Sequence, residues 1–322
     1  MSSQYLQGVV LESRPCPNGC ASSDRFVVEG KDRLHDLPGR FKVVRCAQCG
    51  LMRTDPRPTA ETIGAYYPDD YAPYHVVPTI KVKPSTWHRR MKARLTRLMG
   101  RDSRRLPDIP PGHLLEIGCA AGAYLAEMQA KGWSVEGIEF SPRAAEAARQ
   151  RGLTVQTGSL ESALHPTQKA DVIAAWMVLE HLHEPASSLR KLLDWVKPGG
   201  YLVAVVPDAG AIERRVFGEY WYALQLPTHL YHYTPSSLRV LLQNAGWDLV
   251  SVRWQPNPNN LLNSLEWWAR EHQKSRTLRF ACWMKQSRGA RKLRTWLGWL
   301  LGMTRQSGRM EFWARPMATS RG

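Results

Sequence analysis

Short apolar runs alternate with segments of helical periodicity from residue 112 to about residue 206. Apolar runs bounded by turn residues are typical of buried strands, and apolar residues three or four apart are typical of helices. The pattern predicts strands at His113–Ile117, Ser134–Glu139, Thr154–Gln156, Asp171–Trp176 and Tyr201–Val206, with helices near 122–131, 142–151 and 186–196. This alternation predicts an α/β fold, in which a parallel sheet carries helices on both faces.

A turn of small residues follows the first predicted strand and reads Gly118-Cys119-Ala120-Ala121-Gly122. Small residues let backbone N–H groups and a helix start approach a ligand closely. Glu139 ends the second strand, 21 residues after Gly118, where an acid can accept hydrogen bonds from both hydroxyls of a ribose. Glu116 on the first strand would repel a pyrophosphate but attract a cationic amino-acid group. The two acids therefore predict a nucleoside ligand with an amino-acid portion.

This region resembles the class I S-adenosylmethionine-dependent methyltransferases. Three residues match the first motif of that family, namely Glu116, Gly118 and Gly122. Ala120 takes the place of the middle glycine of the motif. The run Glu139-Phe140-Ser141-Pro142 matches the ribose-binding acid and the helix start after it, and Ser159 stands where the family has an adenine-contacting acid.

The resemblance continues through the fourth strand and the helix, turn and fifth strand that end at Pro207. It implies a Rossmann-like sheet of seven strands and S-adenosylmethionine as the cofactor. The residues that it assigns to cofactor binding are Glu116, Gly118, Cys119, Ala120, Gly122, Glu139, Phe140, Ser159, Leu160 and Trp176.

Four of the six cysteines lie in the first 50 residues, as two close pairs, Cys16 with Cys20 and Cys46 with Cys49. Two pairs separated by a short strand-rich spacer predict a zinc ribbon with four thiolate ligands. Such a closed site is structural, and we expect zinc there rather than disulfides, because no apolar secretion signal follows Met1.

The flanking motifs narrow the resemblance to bacterial methyltransferases of surface-polysaccharide and secondary-metabolite pathways. These motifs are the cysteine pairs, Pro56-Arg57-Pro58, Tyr66-Tyr67, residues 226–234 and a closing strand at 308–315. The four tyrosines between residues 66 and 74 either form a lid over a pocket or pack between the ribbon and the main domain. The predicted division is a zinc-ribbon-like module at 1–58, a linker, lid and basic helix at 59–111, a methyltransferase core at 112–255, a Trp-rich helical insertion at 256–307, and a closing strand and tail at 308–322.

The net charge of +16 is concentrated in two segments. Residues 81–105 carry +9 and residues 270–309 carry +10, so the rest of the chain is slightly acidic. Such segments suit an anionic surface, either phospholipid or nucleic acid. The second segment also has an apolar stripe, consisting of Leu293, Trp296, Leu297, Leu300 and Leu301. Tryptophan, leucine and a cationic rim are typical of a helix in a membrane interface; the alternative is that the stripe packs on the sheet.

Methyl transfer by the family is an in-line displacement, in which the enzyme aligns the reactants and a base takes the acceptor proton. The candidate bases are His181, His229 and His232, with His229 favoured for acceptor contact. In ubiquinone-type O-methyltransferases an acid–acid–histidine metal motif follows the fourth strand. Met177 stands where its first acid would be, so we expect no catalytic metal.

The preferred function is O-methylation of a glycan, a lipid-linked sugar or a related metabolite at a membrane surface. We expect a cytoplasmic protein, peripheral at the inner face of the membrane through residues 81–105 and 270–305. An RNA methyltransferase is the first alternative, and nucleic acid is the less favoured partner, because the segment after the fourth strand lacks the Asn/Asp-Pro-Pro-aromatic turn of base-methylating enzymes. A non-catalytic protein that binds the nucleoside is the second alternative, because Ala120 and Ser159 depart from the family pattern.

Overall fold

A computed structural model describes residues 6–21, 23–67 and 104–318. The chain forms two compact units. The first contains the described residues of Met1–Pro68, Val206–Leu241 and Val252–Glu311, and the second contains those of Asp69–Val205, Leu242–Ser251 and Phe312–Gly322. Residues 68–103 lie outside the described residues, and with them most of the predicted linker, lid and basic helix, including Tyr71 and Tyr74.

The first unit begins with five short strands: β1 at Leu11–Glu12, β2 at Asp24–Lys31, β3 at Arg40–Cys46, β4 at Met52–Thr54 and β5 at Arg57–Pro58. Strands β1 and β5 form an antiparallel pair. Strands β2, β3 and β4 join β11 (Tyr231–His232) in a four-stranded sheet of order β11-β4-β3-β2. All its pairs are antiparallel, so the cysteine-rich segment and the histidine segment share one sheet within this unit.

The larger sheet has seven strands: β6 at His113–Ile117, β7 at Ser134–Glu139, β8 at Thr154–Thr157, β9 at Ala170–Trp176, β10 at Val196–Pro207, β12 at Trp247–Trp254 and β13 at Arg309–Pro316. Their order is β12-β13-β10-β9-β6-β7-β8, and the pairs from β10 to β8 are parallel. The predicted Rossmann-like sheet is therefore confirmed. The chain leaves β6 toward β7 on one side and returns to β9 on the other, so the carboxyl end of β6 lies at a topological switch point.

The described helices of eight residues or fewer are α1 at Ala123–Gln129, α2 at Pro142–Arg149 and α4 at Ile212–Phe217, and the longer ones are α3 at Pro185–Trp195, α5 at Pro235–Asn244, α6 at Asn259–Glu271, α7 at Ser275–Gln286 and α8 at Arg291–Met303. Helix α2 shows how local sequence sets a helix start. The Ser141 hydroxyl accepts a hydrogen bond from the Ala144 N–H, and Pro142 occupies the first turn. None of the helices described has the length and apolar content needed to span a bilayer.

Each unit has its own core. In the second unit, Leu114, Leu125, Val172 and Val203 belong to one buried cluster on the sheet. In the first unit, Phe41, Trp221 and Leu224 pack with Tyr66, whose ring meets that of Phe41 edge to face. Tyr66 is thus a packing residue.

The apolar stripe predicted on α8 is partly buried and partly exposed. Leu301 is buried and Leu297 packs on a small cluster with Leu262 and Met284, whereas Trp296 is exposed. Gly298 explains which side faces inward, because a Cβ there would lie 2.6 Å from the Pro256 carbonyl oxygen. Because glycine has no side chain, the side of α8 that carries residue 298 can pack closely against the Pro256 backbone.

The turn between β6 and α1 is strained at one residue. Ala120 has φ +47°, in the left-handed region where a Cβ costs about 1–2 kcal/mol. Gly122, at the N-cap of α1, has φ +74°, and a Cβ there would lie 2.4 Å from Leu153 Cδ1. The turn therefore requires glycine at residue 122, and at residue 120 it tolerates alanine at a cost.

Replacing Ala120 with glycine is expected to raise the free energy of unfolding by up to about 1 kcal/mol, because strain relief exceeds the added entropy of the unfolded chain. Gly122→Ala is expected to lower it by more than Gly152→Ala. Both glycines have positive φ, but only residue 122 lacks room for a Cβ. Urea unfolding followed by circular dichroism measures all three, and equal losses for the two alanine variants would contradict the packing argument.

Candidate functional site

The Glu139 carboxylate joins the ends of two adjacent parallel strands. Its Oε2 accepts a hydrogen bond of 2.8 Å from the Ala120 N–H, and its Oε1 accepts one of 2.8 Å from the Ser141 N–H. Burial raises the pKa of this carboxyl, and the backbone donors oppose that rise. Each oxygen keeps acceptor capacity beyond these two bonds, which suits a pair of neighbouring hydroxyls.

Glu116 lies within β6 and is buried. Among the residues described, its Oε2 has no hydrogen-bond partner. Burial raises its pKa to about 8, while the Arg104 guanidinium opposes the rise and the Glu139 carboxylate adds to it. A buried acceptor without a donor is costly unless it is paired, so the site favours a ligand that brings a cation or a proton donor.

The turn after β6 is tied to the end of β7. The Gly118 and Cys119 N–H groups both donate to the Ile138 carbonyl oxygen, at 2.8 and 3.2 Å. A Cβ on residue 118 would lie 2.6 Å from Val178 Cγ2, so glycine permits the close approach of the segment after β9. The Cys119 side chain is buried in the core and leaves only its backbone for ligand contact.

The loop after β8 is held by a lysine that the sequence did not single out. Lys191 Nζ donates to the carbonyl oxygens of Leu160, Glu161 and Ala163 at 3.0, 2.9 and 2.7 Å. Leu160 is buried, and Ser159 Oγ accepts from the Ser162 N–H. A lysine on a helix is ordinarily read as solvent-exposed, so no signal in the sequence indicated this role.

Two aromatic residues complete the set of predicted cofactor contacts in this unit. Phe140 follows Glu139 directly and is 53% exposed. Trp176, at the end of β9, packs edge to face on Tyr124 with ring centroids 5.2 Å apart. All ten predicted cofactor residues thus belong to β6–β9 and the turns at their carboxyl ends, within the second unit.

The four N-terminal cysteines form one cluster. The Sγ atoms of Cys16, Cys20, Cys46 and Cys49 all lie within 4.8 Å of one another. Each pair sits on a tight turn, in which the Gly19 N–H donates to the Cys16 carbonyl oxygen and the Gly50 N–H to that of Cys46, both at 3.0 Å. Both glycines have positive φ, +71° and +75°, as expected for turns that aim two sulfurs at one point.

The donor set fits a tetrahedral zinc ion. Sulfurs bound to zinc at about 2.3 Å lie about 3.8 Å apart, close to the 3.4 Å between Cys16 and Cys49 Sγ. Burial is the main reason why the pKa of Cys20 is raised to about 11 and that of Cys16 still further. A bound cation would offset that cost by stabilising the thiolates. Asn18 Nδ2 donates to Cys49 Sγ at 3.3 Å, a contact that sequence reasoning missed.

The three candidate histidines have different surroundings. His181 ends a 3₁₀ turn, Leu179–His181, in the second unit. His229 and His232 belong to the first unit, where both are buried. His232 lies against Trp221, and its ring nitrogens have no hydrogen-bond partner among the described residues. Burial, with a smaller effect of the Arg214 cation, lowers its pKa to about 3, so its ring is neutral at physiological pH.

His229 is oriented by its neighbours. Its Nδ1 lies 2.8 Å from the Ala223 carbonyl oxygen, which can only accept, so Nδ1 carries the proton and Nε2 the lone pair. The His229 carbonyl oxygen accepts from Thr54 Oγ1 at 2.8 Å, and the Thr54 N–H donates to the Leu230 carbonyl oxygen at 2.9 Å. Strand β4, which follows the cysteine cluster, therefore holds the histidine segment.

The curated relatives include ubiquinone biosynthesis O-methyltransferases. The protein of Xanthomonas oryzae pv. oryzae (strain PXO99A) is 29% identical over 158 residues, which are 45% of this chain and 66% of that protein. The protein of Azoarcus sp. (strain BH72) is 30% identical over 153 residues, which are 43% of this chain and 65% of that protein. The chain thus spans slightly less than two thirds of the length of these relatives.

Solved structures with a similar arrangement include an S-adenosylmethionine dependent methyltransferase from Mesorhizobium loti. It is 18% identical, with a TM-score of 0.45, and the match covers 69% of this chain and 96% of that one. The order of the strands in the seven-stranded sheet itself assigns the fold.

A protein-family model described as a methyltransferase domain matches residues 86–252, just over half of the chain. The matched region contains Glu116, Glu139, the turn between β6 and α1, and strands β6 to β10. The chain belongs to the methyltransferase-domain family.

Proposed function

We propose that this protein is an S-adenosylmethionine-dependent methyltransferase that acts on an oxygen atom of a small-molecule acceptor. The observation that carries the proposal is the Glu139 carboxylate, held by the Ala120 and Ser141 N–H groups beside the buried Glu116. The family membership supports the cofactor, and the names of the O-methyltransferase relatives support oxygen as the acceptor atom.

The residues of the site fit the parts of this cofactor. Glu139 would accept hydrogen bonds from the ribose hydroxyls, and Glu116 would pair with the ammonium group of the methionine portion. Phe140, Ser159 and Leu160 would border the adenine. When bound, S-adenosylmethionine supplies a methyl group on a positively charged sulfur, and the protein contributes alignment and exclusion of water.

His229 is the favoured base in this proposal. The Ala223 carbonyl oxygen fixes its tautomer, so Nε2 can accept a proton from an acceptor hydroxyl. His181 and His232 remain the other candidates. The acceptor proposed is a glycan, a lipid-linked sugar or a related metabolite, in keeping with the resemblance of the flanking motifs to surface-polysaccharide enzymes.

We further propose that the cysteine cluster holds one structural zinc ion. Support comes from the four close sulfurs and from the two turns that present them. Four thiolates leave no open coordination position, so the ion would stabilise the sheet β11-β4-β3-β2 and take no part in transfer.

An RNA acceptor is the second candidate, favoured by the strongly basic composition. Electrostatic contacts to phosphates would make binding fall steeply with salt. A nucleoside-binding protein without activity is the third candidate, and it would bind the cofactor without transferring a methyl group.

Labelled methyl transfer into cell extract tests the reaction. The label is expected in the lipid fraction or in the aqueous small-molecule and glycan fraction. His229→Asn should reduce transfer by about 10²-fold or more, because asparagine keeps a donor for the Ala223 carbonyl oxygen but supplies no base. Label chiefly in RNA would overturn the acceptor class, and cofactor binding without any transfer would favour the non-catalytic alternative.

Glu139→Gln is expected to weaken binding of S-adenosylhomocysteine by about 10- to 100-fold, because hydrogen bonds to a charged acceptor contribute about 1.5–3 kcal/mol. Isothermal titration calorimetry measures the dissociation constant. Glu127→Gln is the matched control, since that exposed acid on α1 forms an ion pair with Lys131 and is not among the predicted cofactor residues. Equal affinities for both variants would remove Glu139 from the site.

The purified protein is expected to contain about one zinc ion per chain, and Cys49→Ser to lose it with a clear fall in melting temperature. Cys282→Ser on α7 should keep both, because that thiol lies outside the cluster. Elemental analysis and thermal unfolding provide the readouts. Full zinc content in Cys49→Ser would refute the zinc site. So would a mass of the unsubstituted protein that is lower by four hydrogen atoms, because that loss indicates two disulfides.

A further inference from the structure

We propose that the exposed faces of α7 and α8 bind an anionic phospholipid bilayer. This inference goes beyond methyl transfer and does not depend on it, since it concerns helices of the first unit and none of the cofactor residues.

Helix α8 exposes an apolar side. Leu293, Trp296, Leu300 and Met303 recur at helical spacing and so lie along one side, and Trp299 borders them. Trp296 is 56% exposed, Trp299 48% and Met303 63%. The opposite side already packs inward through Gly298 and Leu301. The exposed side is therefore not needed for the fold of this unit.

Helix α7 adds a second exposed aromatic pair. Phe280 and Trp283 are about half exposed, with ring centroids 6.1 Å apart. The two helices are joined by Arg294, whose Nη1 donates to the carbonyl oxygens of Met284 and Lys285 at the end of α7. We call the exposed side chains of these two helices the α7–α8 face.

Charge selects the partner of this face. No aspartate or glutamate occurs from residue 272 to residue 310, while Arg276, Arg279, Arg291 and Lys292 are exposed on α7 and α8. Burying tryptophans in another protein needs no such excess of positive charge, and nucleic acid gives methionine and leucine little to contact. An anionic bilayer suits both features, because its headgroups attract the basic side chains and its apolar interior accommodates the aromatic ones.

The aromatic residues suit the depth of an interface. Tryptophan places an apolar ring among acyl chains and keeps its N–H near the headgroups. Because no described helix can cross a bilayer, the bound helices would lie along the surface. An amphiphilic acceptor would then be met in the membrane plane.

Flotation of the full chain with vesicles tests the proposal, without cofactor or acceptor. Vesicles of phosphatidylcholine with about one third phosphatidylglycerol are expected to bind the protein, and vesicles of phosphatidylcholine alone to bind at least tenfold less. Trp296→Ala/Trp299→Ala should lower binding to the anionic vesicles by about tenfold or more. Leu164→Ala, which truncates an exposed apolar side chain elsewhere, is the control.

A second pair of variants isolates the charge. Arg291→Gln/Lys292→Gln should weaken binding by about 20- to 30-fold, since each basic side chain near an anionic surface contributes about fivefold. Arg25→Gln/Lys169→Gln removes two exposed charges elsewhere and should leave binding unchanged. Circular dichroism confirms that each variant is folded.

Three results would overturn the proposal. The first is that the two kinds of vesicle bind the protein equally or not at all. The second is RNA binding that the Trp296→Ala/Trp299→Ala variant abolishes. The third is a concentration-dependent dimer that the same variant dissociates. Because methyl transfer is not measured, a failure here leaves the proposed reaction standing, and a failure of transfer leaves vesicle binding intact.

Discussion

The fold depends on how a parallel sheet accommodates two buried carboxylates beside its switch point. A carboxylate in a protein interior is costly unless donors or cations surround it. The structure supplies the donors for Glu139 from the backbone at Ala120 and Ser141, which ties the carboxyl ends of β6 and β7 together. For Glu116 the described residues supply no such donor to Oε2, and burial raises the pKa of its carboxyl to about 8. A ligand that brings a cation or a proton donor would lower the cost of burying Glu116.

In the first unit, a four-stranded antiparallel sheet connects the cysteine cluster to the histidine segment. Cys46 ends strand β3, so a metal bound to the four cysteines would add stability to this antiparallel sheet. Strand β4 pairs with β11, and Thr54 donates hydrogen bonds to the His229 and Leu230 carbonyl oxygens. The position of the histidine segment therefore depends on the strand that follows the cysteines. The proposed zinc would therefore act on the reaction only through structure, by positioning His229.

Much of the fold was predictable from particular residues. The strands at His113–Ile117 and Ser134–Glu139 match their predicted bounds, because short segments with apolar residues between turns are typical of strands. The turns at Gly19 and Gly50 were also predictable, since close cysteine pairs need positive φ nearby. Lys191, Asn18 and Thr54 were not, because their partners lie far away in the sequence or are backbone groups that any residue carries.

The sequence by itself determined the order of strands and helices, the two acids and the four cysteines, because these depend on local periodicity and spacing. It also determined that α8 is amphipathic, but not which apolar side chains are buried. Only the tertiary structure decided that, since apolar side chains of α8 are buried where another segment packs closely, as Pro256 does at Gly298. The tautomer of His229 and the left-handed conformation of Ala120 were likewise decided by tertiary structure, because each is imposed by contacts that no local pattern records.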